Sequence, residues 1–106
     1  MGVAAGYEFG VFVMRDDGVV DGEYPATRSV WTEMVLNRFY AESVGGDSVV
    51  SVIVNGSIVH GPLSINEGSP ITDTILLELE EGDQVSFGIV AYGATRVWAQ
   101  VDGAGS

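Results

Sequence analysis

Large apolar side chains occupy every second position over several stretches of this chain. The pattern is clearest in residues 7–14, 72–79 and 85–91. A period of two is typical of β-strands, whose successive side chains point to opposite faces of a sheet. Residues 29–46 end in a Gly-Gly pair, as a helix often does, but at about 100° per residue their apolar side chains form no stripe. We therefore predict a strand over residues 29–41, with Leu36 and Phe39 on opposite faces.

Turn signals separate the predicted strands. Asn55-Gly56 lies between the runs 49–54 and 57–60 and favours a type I′ hairpin, because both residues tolerate positive φ. Gly82-Asp83 marks another turn and residues 95–101 a last strand. Residues 15–25 contain Gly and Pro and are either a loop or a loop with a very short strand at Val19-Val20. About seven to eight short strands predict an all-β fold, an antiparallel β-sandwich or jelly roll. A chain of 106 residues fits a single domain, residues 1–106.

The strands of the predicted hairpin carry apolar side chains on both faces. One face holds Val50, Val52, Val54 and Val59, and the other holds Val49, Ile53 and Ile58. A sandwich buries one face of each sheet, so the second face needs a cover. Residues 15–28 folded back as a loop are one possible cover, and another chain is the other. We expect another chain in a homo-oligomer, with a trimer favoured.

The charge balance excludes some partners. The chain has 15 acidic residues, four arginines and no lysine, which gives a formal charge of −11. Nucleic acids and anionic membranes attract cationic surfaces, so neither is an expected partner. The absence of cysteine excludes disulfides and thiolate chemistry. The sequence contains no cleavable signal pattern and no run of about 20 apolar residues, so we expect a soluble protein.

No residue set predicts catalysis or a cofactor. If Val54 pairs with Ser57, the one histidine, His60, lies opposite Ser51 on the Ile53/Ile58 face, where we expect a packing or interface role. Nothing near the serines on either side of His60 resembles a nucleophile elbow, so we predict that the protein is not an enzyme. The carboxylates of residues 16–23 have oxygen ligands suited to Ca²⁺ but lack EF-hand spacing, and we expect them to be solvated, with no metal bound.

The aromatic residues suggest a contact surface. Trp98 falls in line with Arg96 and Gln100, among polar side chains near the surface. Such a face suits either a sugar ring or a neighbouring subunit, and we favour the subunit. The predicted interface residues are Val49, Ile53, Ile58, His60, Trp31, Trp98 and Arg96.

Two stretches resemble known families. VVSVIVNGSIV and LLELEEGDQVSF, within residues 49–101, resemble β-sandwich proteins of tailed-phage virions, such as head decoration, fibre and minor tail proteins. They are also similar, more weakly, to jelly rolls of the C1q and tumour-necrosis-factor type, whose C-terminal aromatic strand is not matched by RVWAQVDGAGS. The phage resemblance implies a non-catalytic protein located in the virion, a capsid decoration or fibre-like module that docks on proteins such as the major capsid protein. The alternative is a carbohydrate-binding module that uses Trp98 or Trp31, with or without Ca²⁺ held by residues 16–23.

Overall fold

The structure is a computed structural model that describes residues 6–26 and 28–104, and all of its regular elements are strands. The eight strands are β1 (Gly6–Met14), β2 (Gly22–Pro25), β3 (Met34–Val44), β4 (Asp47–Val54), β5 (Ser57–Ile65), β6 (Ile71–Leu79), β7 (Val85–Tyr92) and β8 (Arg96–Ala104). Within this part of the chain, no helix has the length and apolar character needed to cross a membrane.

The strands form two four-stranded antiparallel sheets in jelly-roll order. The first sheet has the order β1-β8-β3-β6 and the second β2-β7-β4-β5. Only β4 and β5 are both consecutive in the chain and paired, so every other connection joins the two sheets. This nested pairing is that of two Greek keys, and it confirms the predicted all-β antiparallel sandwich.

The inward side chains of both sheets make one core. Alternation along β1 directs Phe9 inward and Phe12 outward, and alternation along β6 directs Leu77 and Leu79 inward. The largest fully buried side chains are Phe9, Phe39, Phe87, Leu36, Ile65, Leu79, Ile89, Val30, Val50, Val52, Val85 and Val97. Burying one such side chain stabilises the fold by about 1.5–3 kcal/mol, so this layer holds the two sheets together.

The third strand differs from its prediction in where it begins and in which of its side chains point to the core. It begins at Met34, because Val30 is buried in the preceding segment and bonds through its backbone to Asp83 and Gly82. The pairing with β6 shifts register after Leu36, which places Leu36 and Phe39 on the same inner face. The prediction that they face opposite ways was wrong, because a β-bulge breaks the two-residue period.

Of the two alternatives for Val19-Val20, the structure has the loop and not the strand. Val19 is buried in a loop and donates its backbone N–H to Ala94 at 2.8 Å. The short strand lies a few residues later, as β2, and pairs with the edge of β7.

The Asn-Gly hairpin forms as predicted and is tied to a second turn. Asn55 and Gly56 have φ of 52° and 85°, and Val54 pairs with Ser57. The Asn55 Nδ2 donates to Asp83 Oδ1 at 2.9 Å, and its Oδ1 accepts from the backbone N–H of Gln84, also at 2.9 Å. The hairpin turn is therefore joined to the β6–β7 turn by the side chain of Asn55.

His60 lies on the opposite face from the one predicted. The register of β4 and β5 shifts between Ile53 and Val52, so His60 pairs with Val52 instead of Ser51. Its ring packs edge-on against buried Phe39, with centroids 5.4 Å apart, and its Nε2 lies 3.2 Å from Asp73 Oδ2. His60 therefore sits between the sheets and joins β5 to β6.

Candidate functional site

Among the described residues, the outer side of the first sheet has a surface on which exposed aromatic, aliphatic and charged side chains from three strands lie next to one another. Residues from β1, β8 and β3 align there in four rows across the strands. The rows are Met14–Arg96–Val44, Phe12–Trp98–Glu42, Gly10–Gln100–Tyr40 and Glu8–Asp102–Arg38. We call these twelve residues the Trp98 face.

One half of the Trp98 face is apolar. The exposed fractions are 54% for Phe12, 58% for Met14, 42% for Trp98 and 39% for Val44. The rings of Phe12 and Trp98 are in contact, with centroids 5.5 Å apart. These four side chains belong to the first two rows, which also hold Arg96 between Met14 and Val44 and Glu42 beside Trp98. They form an apolar patch centred on the Phe12–Trp98 pair.

The other half of the Trp98 face is a hydrogen-bonded polar ladder. The indole N–H of Trp98 donates to Gln100 Oε1 at 2.7 Å, and Gln100 Nε2 donates to Asp102 Oδ2 at 2.8 Å. Arg38 donates to both oxygens of Asp102, at 3.0 and 2.9 Å, and this hydrogen-bonded carboxylate raises the pKa of the guanidinium. The ladder fixes the Trp98 side chain, because each polar group holds the next.

Shallow depressions surround Trp98. A depression of about 250 Å³ lies over Gly10, between Phe12, Trp98 and Gln100. A Cβ on Gly10 would lie 3.0 Å from the Ala99 carbonyl oxygen and from Gln100 Cβ, so this position admits glycine best. A second depression, of about 300 Å³, is lined by Arg38, Tyr40, Glu42, Trp98 and Gln100. Burial and the nearby Glu42 carboxylate raise the pKa of Tyr40.

The structure divides the predicted interface residues among several surfaces. Trp98 and Arg96 belong to the Trp98 face. Val49, Ile53 and Ile58 lie on the outer side of the second sheet, and Ile58 is 58% exposed. Ile53 is only 8% exposed, because its Cδ1 lies over Gly88, 3.3 Å from where a Cβ would be. The side chain of Ile53 is therefore accommodated over Gly88 of β7, whereas Ile58 and Val59 of the hairpin stay exposed.

Trp31 and His60 lie apart from both outer faces. Trp31 precedes β3 and packs against Tyr7 and Phe9, with centroids 5.5 and 5.6 Å away. The guanidinium of Arg28 lies over the Trp31 ring, 4.3 Å from its centroid. Trp31 thus covers one end of the core, while His60 closes the side between β5 and β6.

The acidic residues do not converge on a metal-binding arrangement. Asp21 accepts a hydrogen bond from the backbone N–H of Ala91 at 2.8 Å, and Glu23 of β2 accepts one from the hydroxyl of Ser86. Both carboxylates therefore fasten residues 21–23 to β7. Across residues 6–26 and 28–104, no group of three or more His, Cys, Asp or Glu side chains could hold a metal ion. A wide depression of about 720 Å³ near Tyr7 is lined by four further carboxylates and repels anionic ligands.

A scan against protein-family models finds no match for this chain, and a search of curated proteins finds no similar sequence. The interpretation of the Trp98 face therefore depends on its geometry.

Sequence reasoning found Trp98 and Arg96 but missed the residues around them. Phe12, Met14 and Val44 were not selected, although Phe12 and Met14 fall on the second face of the first predicted strand. The Arg38–Asp102 pair joins residues 64 positions apart, and no local pattern in the sequence indicates it.

Proposed function

We propose that this chain is a non-catalytic structural protein of a phage-type virion, a capsid decoration or fibre-like module that assembles with itself and docks on other virion proteins. The observation that carries this function is the apolar patch of the Trp98 face, formed by Phe12, Met14, Val44 and Trp98. Contiguous exposed apolar surface commonly marks a protein-binding site. The jelly-roll order is shared by many capsid domains and lectins, so the fold is compatible with this role but does not establish it.

Assembly through this patch would be driven by burial. Phe12 and Trp98 are 54% and 42% exposed, which leaves on the order of 100 Å² of each side chain in water. Covering that area contributes about 2.5 kcal/mol for each ring. The acidic residues outside the face would stay in solvent and keep the assembled protein soluble.

The role of His60 also supports a non-catalytic function. It is the only histidine in the chain, and it packs against Phe39 and pairs with Asp73. A general base needs a nucleophile or substrate within hydrogen-bond reach. No serine or threonine hydroxyl within the described residues bonds to its ring.

Light scattering on the purified chain tests self-assembly. From about 1 to about 100 μM, we expect the mass of an oligomer, and Trp98→Ala should shift the equilibrium toward monomer. Tyr92→Ala is the matched control, because Tyr92 is 64% exposed and lies on the second sheet. A wild-type chain that stays monomeric over this range would overturn self-assembly.

Particle composition tests the virion assignment separately. Mass spectrometry of purified particles of the encoding phage should detect the chain at a fixed ratio to the major capsid protein. Its absence from purified particles would refute the virion location, whatever its oligomeric state.

A carbohydrate-binding module is the second candidate, and one observation favours it. Trp98 is held by the polar ladder beside the 300 Å³ depression, so an aromatic ring and fixed polar groups lie side by side. That combination suits a pyranose ring. A glycan-array signal that disappears in Trp98→Ala would support this function. A midpoint of thermal unfolding that Ca²⁺ leaves unchanged would exclude its Ca²⁺-assisted form.

A further inference from the structure

We infer that the Trp98 face binds the same face of a second copy in a two-fold dimer. The two-fold axis lies in the interface and runs across the strands, between the Trp98 row and the Gln100 row. This arrangement rests on the self-assembly proposed above and specifies its geometry. It places the first row of each copy opposite the fourth row of the other, and the second row opposite the third.

The charges of the face match such a reversal. Arg96 lies in the first row and forms no ion pair with the described residues. Glu8 and Asp102 lie in the fourth row, about 20 Å away along the strands. Reversing the rows sets Arg96 of each copy opposite Asp102 of the other, with Glu8 on one side and Arg38 on the other. Arg38 already pairs with Asp102, so the fourth row has a net charge of −1 and Glu8 is the carboxylate left for Arg96 in each of the two equivalent contacts.

The shape of the face also matches. Phe12 is a projecting ring in the second row, and Gly10 is a gap in the third row of the same strand. The reversal places Phe12 of one copy over the 250 Å³ depression at Gly10 of the other. Trp98 then covers Gln100 of the second copy, and Tyr40 meets Glu42. Each copy therefore supplies both the projection and the recess, as an isologous contact requires.

Net charge does not oppose this contact strongly. The Trp98 face holds three carboxylates and two guanidiniums, so its net charge is −1 out of the −11 of the chain. Three strands spaced about 4.8 Å apart give the Trp98 face a flat footprint of about 400 Å² per copy. That is at the small end of protein–protein interfaces, so we expect a weak dimer with a dissociation constant in the micromolar range.

Charge reversal with mixing tests the geometry. Arg96→Glu should weaken the dimer at least about tenfold, because the new carboxylate faces Glu8 and Asp102. Glu8→Arg should also weaken it, because the new guanidinium faces Arg96. An equimolar mixture of these two variants should dimerise again, since the introduced carboxylate of one copy then meets the introduced guanidinium of the other, and Arg96 of that other copy meets the unchanged Glu8. Arg28→Glu mixed with Glu81→Arg is the matched control, because both residues are exposed and lie outside the face.

Sedimentation velocity distinguishes the outcomes. Restored dimers in the mixture, together with weaker dimers in Phe12→Ala, support the two-fold arrangement. A wild-type oligomer that is unaffected by either charge reversal overturns this arrangement but leaves self-assembly in place. A wild-type trimer also overturns it. A wild-type monomer up to about 100 μM overturns both this arrangement and the self-assembly on which it rests.

Discussion

The side chain of Asn55 joins two turns, and replacing it with glycine should measure that connection. Glycine keeps the backbone unstrained at the φ of 52° found here, so Asn55→Gly removes only the side-chain bonds. The bond to the Asp83 carboxylate is worth about 1.5–3 kcal/mol and the bond from the Gln84 N–H about 0.5–1.5 kcal/mol. Both hydrogen bonds lie at an exposed turn, where water can take the place of the missing partner. We therefore expect Asn55→Gly to lower the free energy of unfolding by about 2 kcal/mol, the sum of the low ends of the two ranges.

Chemical denaturation and thermal unfolding measure this loss. A destabilisation of about 2 kcal/mol lowers the midpoint of thermal unfolding by about 8 °C in a domain of this size. Asn66→Gly is the control for the added flexibility of glycine, because Asn66 is exposed and its side chain forms no hydrogen bond with the described residues. In a double-mutant cycle with Asp83→Ala, a coupling energy under about 0.3 kcal/mol would refute the side-chain connection between Asn55 and Asp83, while the backbone bond from the Asn55 N–H to the Gln84 carbonyl would remain.

The hydrogen bond between Asn55 and Asp83 predicts that the stability of the fold depends on pH. The pKa of Asp83 lies below its ordinary value of 3.8, because its carboxylate accepts hydrogen bonds from the Glu80 backbone N–H and from Asn55. A lowered folded-state pKa stabilises the fold above the unfolded-state pKa, and this stabilisation is lost as the pH falls through the folded-state pKa. The difference in stability between the wild type and Asn55→Gly should therefore be full near pH 6 and shrink below about pH 4. A difference that stays constant down to pH 2 would contradict the bond to the ionised carboxylate.

Three further predictions concern the packing and the Trp98 face. Gly103→Ala should destabilise the fold by about 1–3 kcal/mol, because the new Cβ would lie 2.8 Å from the Val35 carbonyl oxygen. Gly22→Ala is the control and should be neutral or slightly stabilising, because its new Cβ meets only open space. Equal denaturation midpoints for the two variants would contradict this prediction. Phe39→Ala should lower the free energy of unfolding of the monomer by about 3–5 kcal/mol and Phe12→Ala by less than about 1 kcal/mol, because only Phe39 is fully buried. Similar decreases for the two variants would contradict the exposed position of Phe12. Glu42→Gln should lower the pKa of Tyr40 toward its ordinary value, and an unchanged absorbance titration would remove Glu42 as a cause.

The predicted strands and turns depend on local features of the sequence. Alternation in residues 7–14 and 72–79 identified β1 and β6, because a strand sends successive side chains to opposite faces wherever it pairs. Asn55-Gly56 predicted its turn for the same kind of reason, since the preference for positive φ belongs to the residues themselves. The fold class and the hairpin therefore followed from the sequence alone.

The bulges, the strand order and the Trp98 face were decided by tertiary structure. The register shift that turned Phe39 inward lies in the pairing of β3 with β6, a partner distant in the chain, and the shift that turned His60 inward is a bulge within the β4–β5 hairpin that its turn residues do not indicate. The Trp98 face combines strands from the beginning, middle and end of the sequence, and only the order β1-β8-β3 brings Phe12, Trp98 and Arg38 onto one surface. That order depends on packing both sheets around one core, which no local pattern encodes.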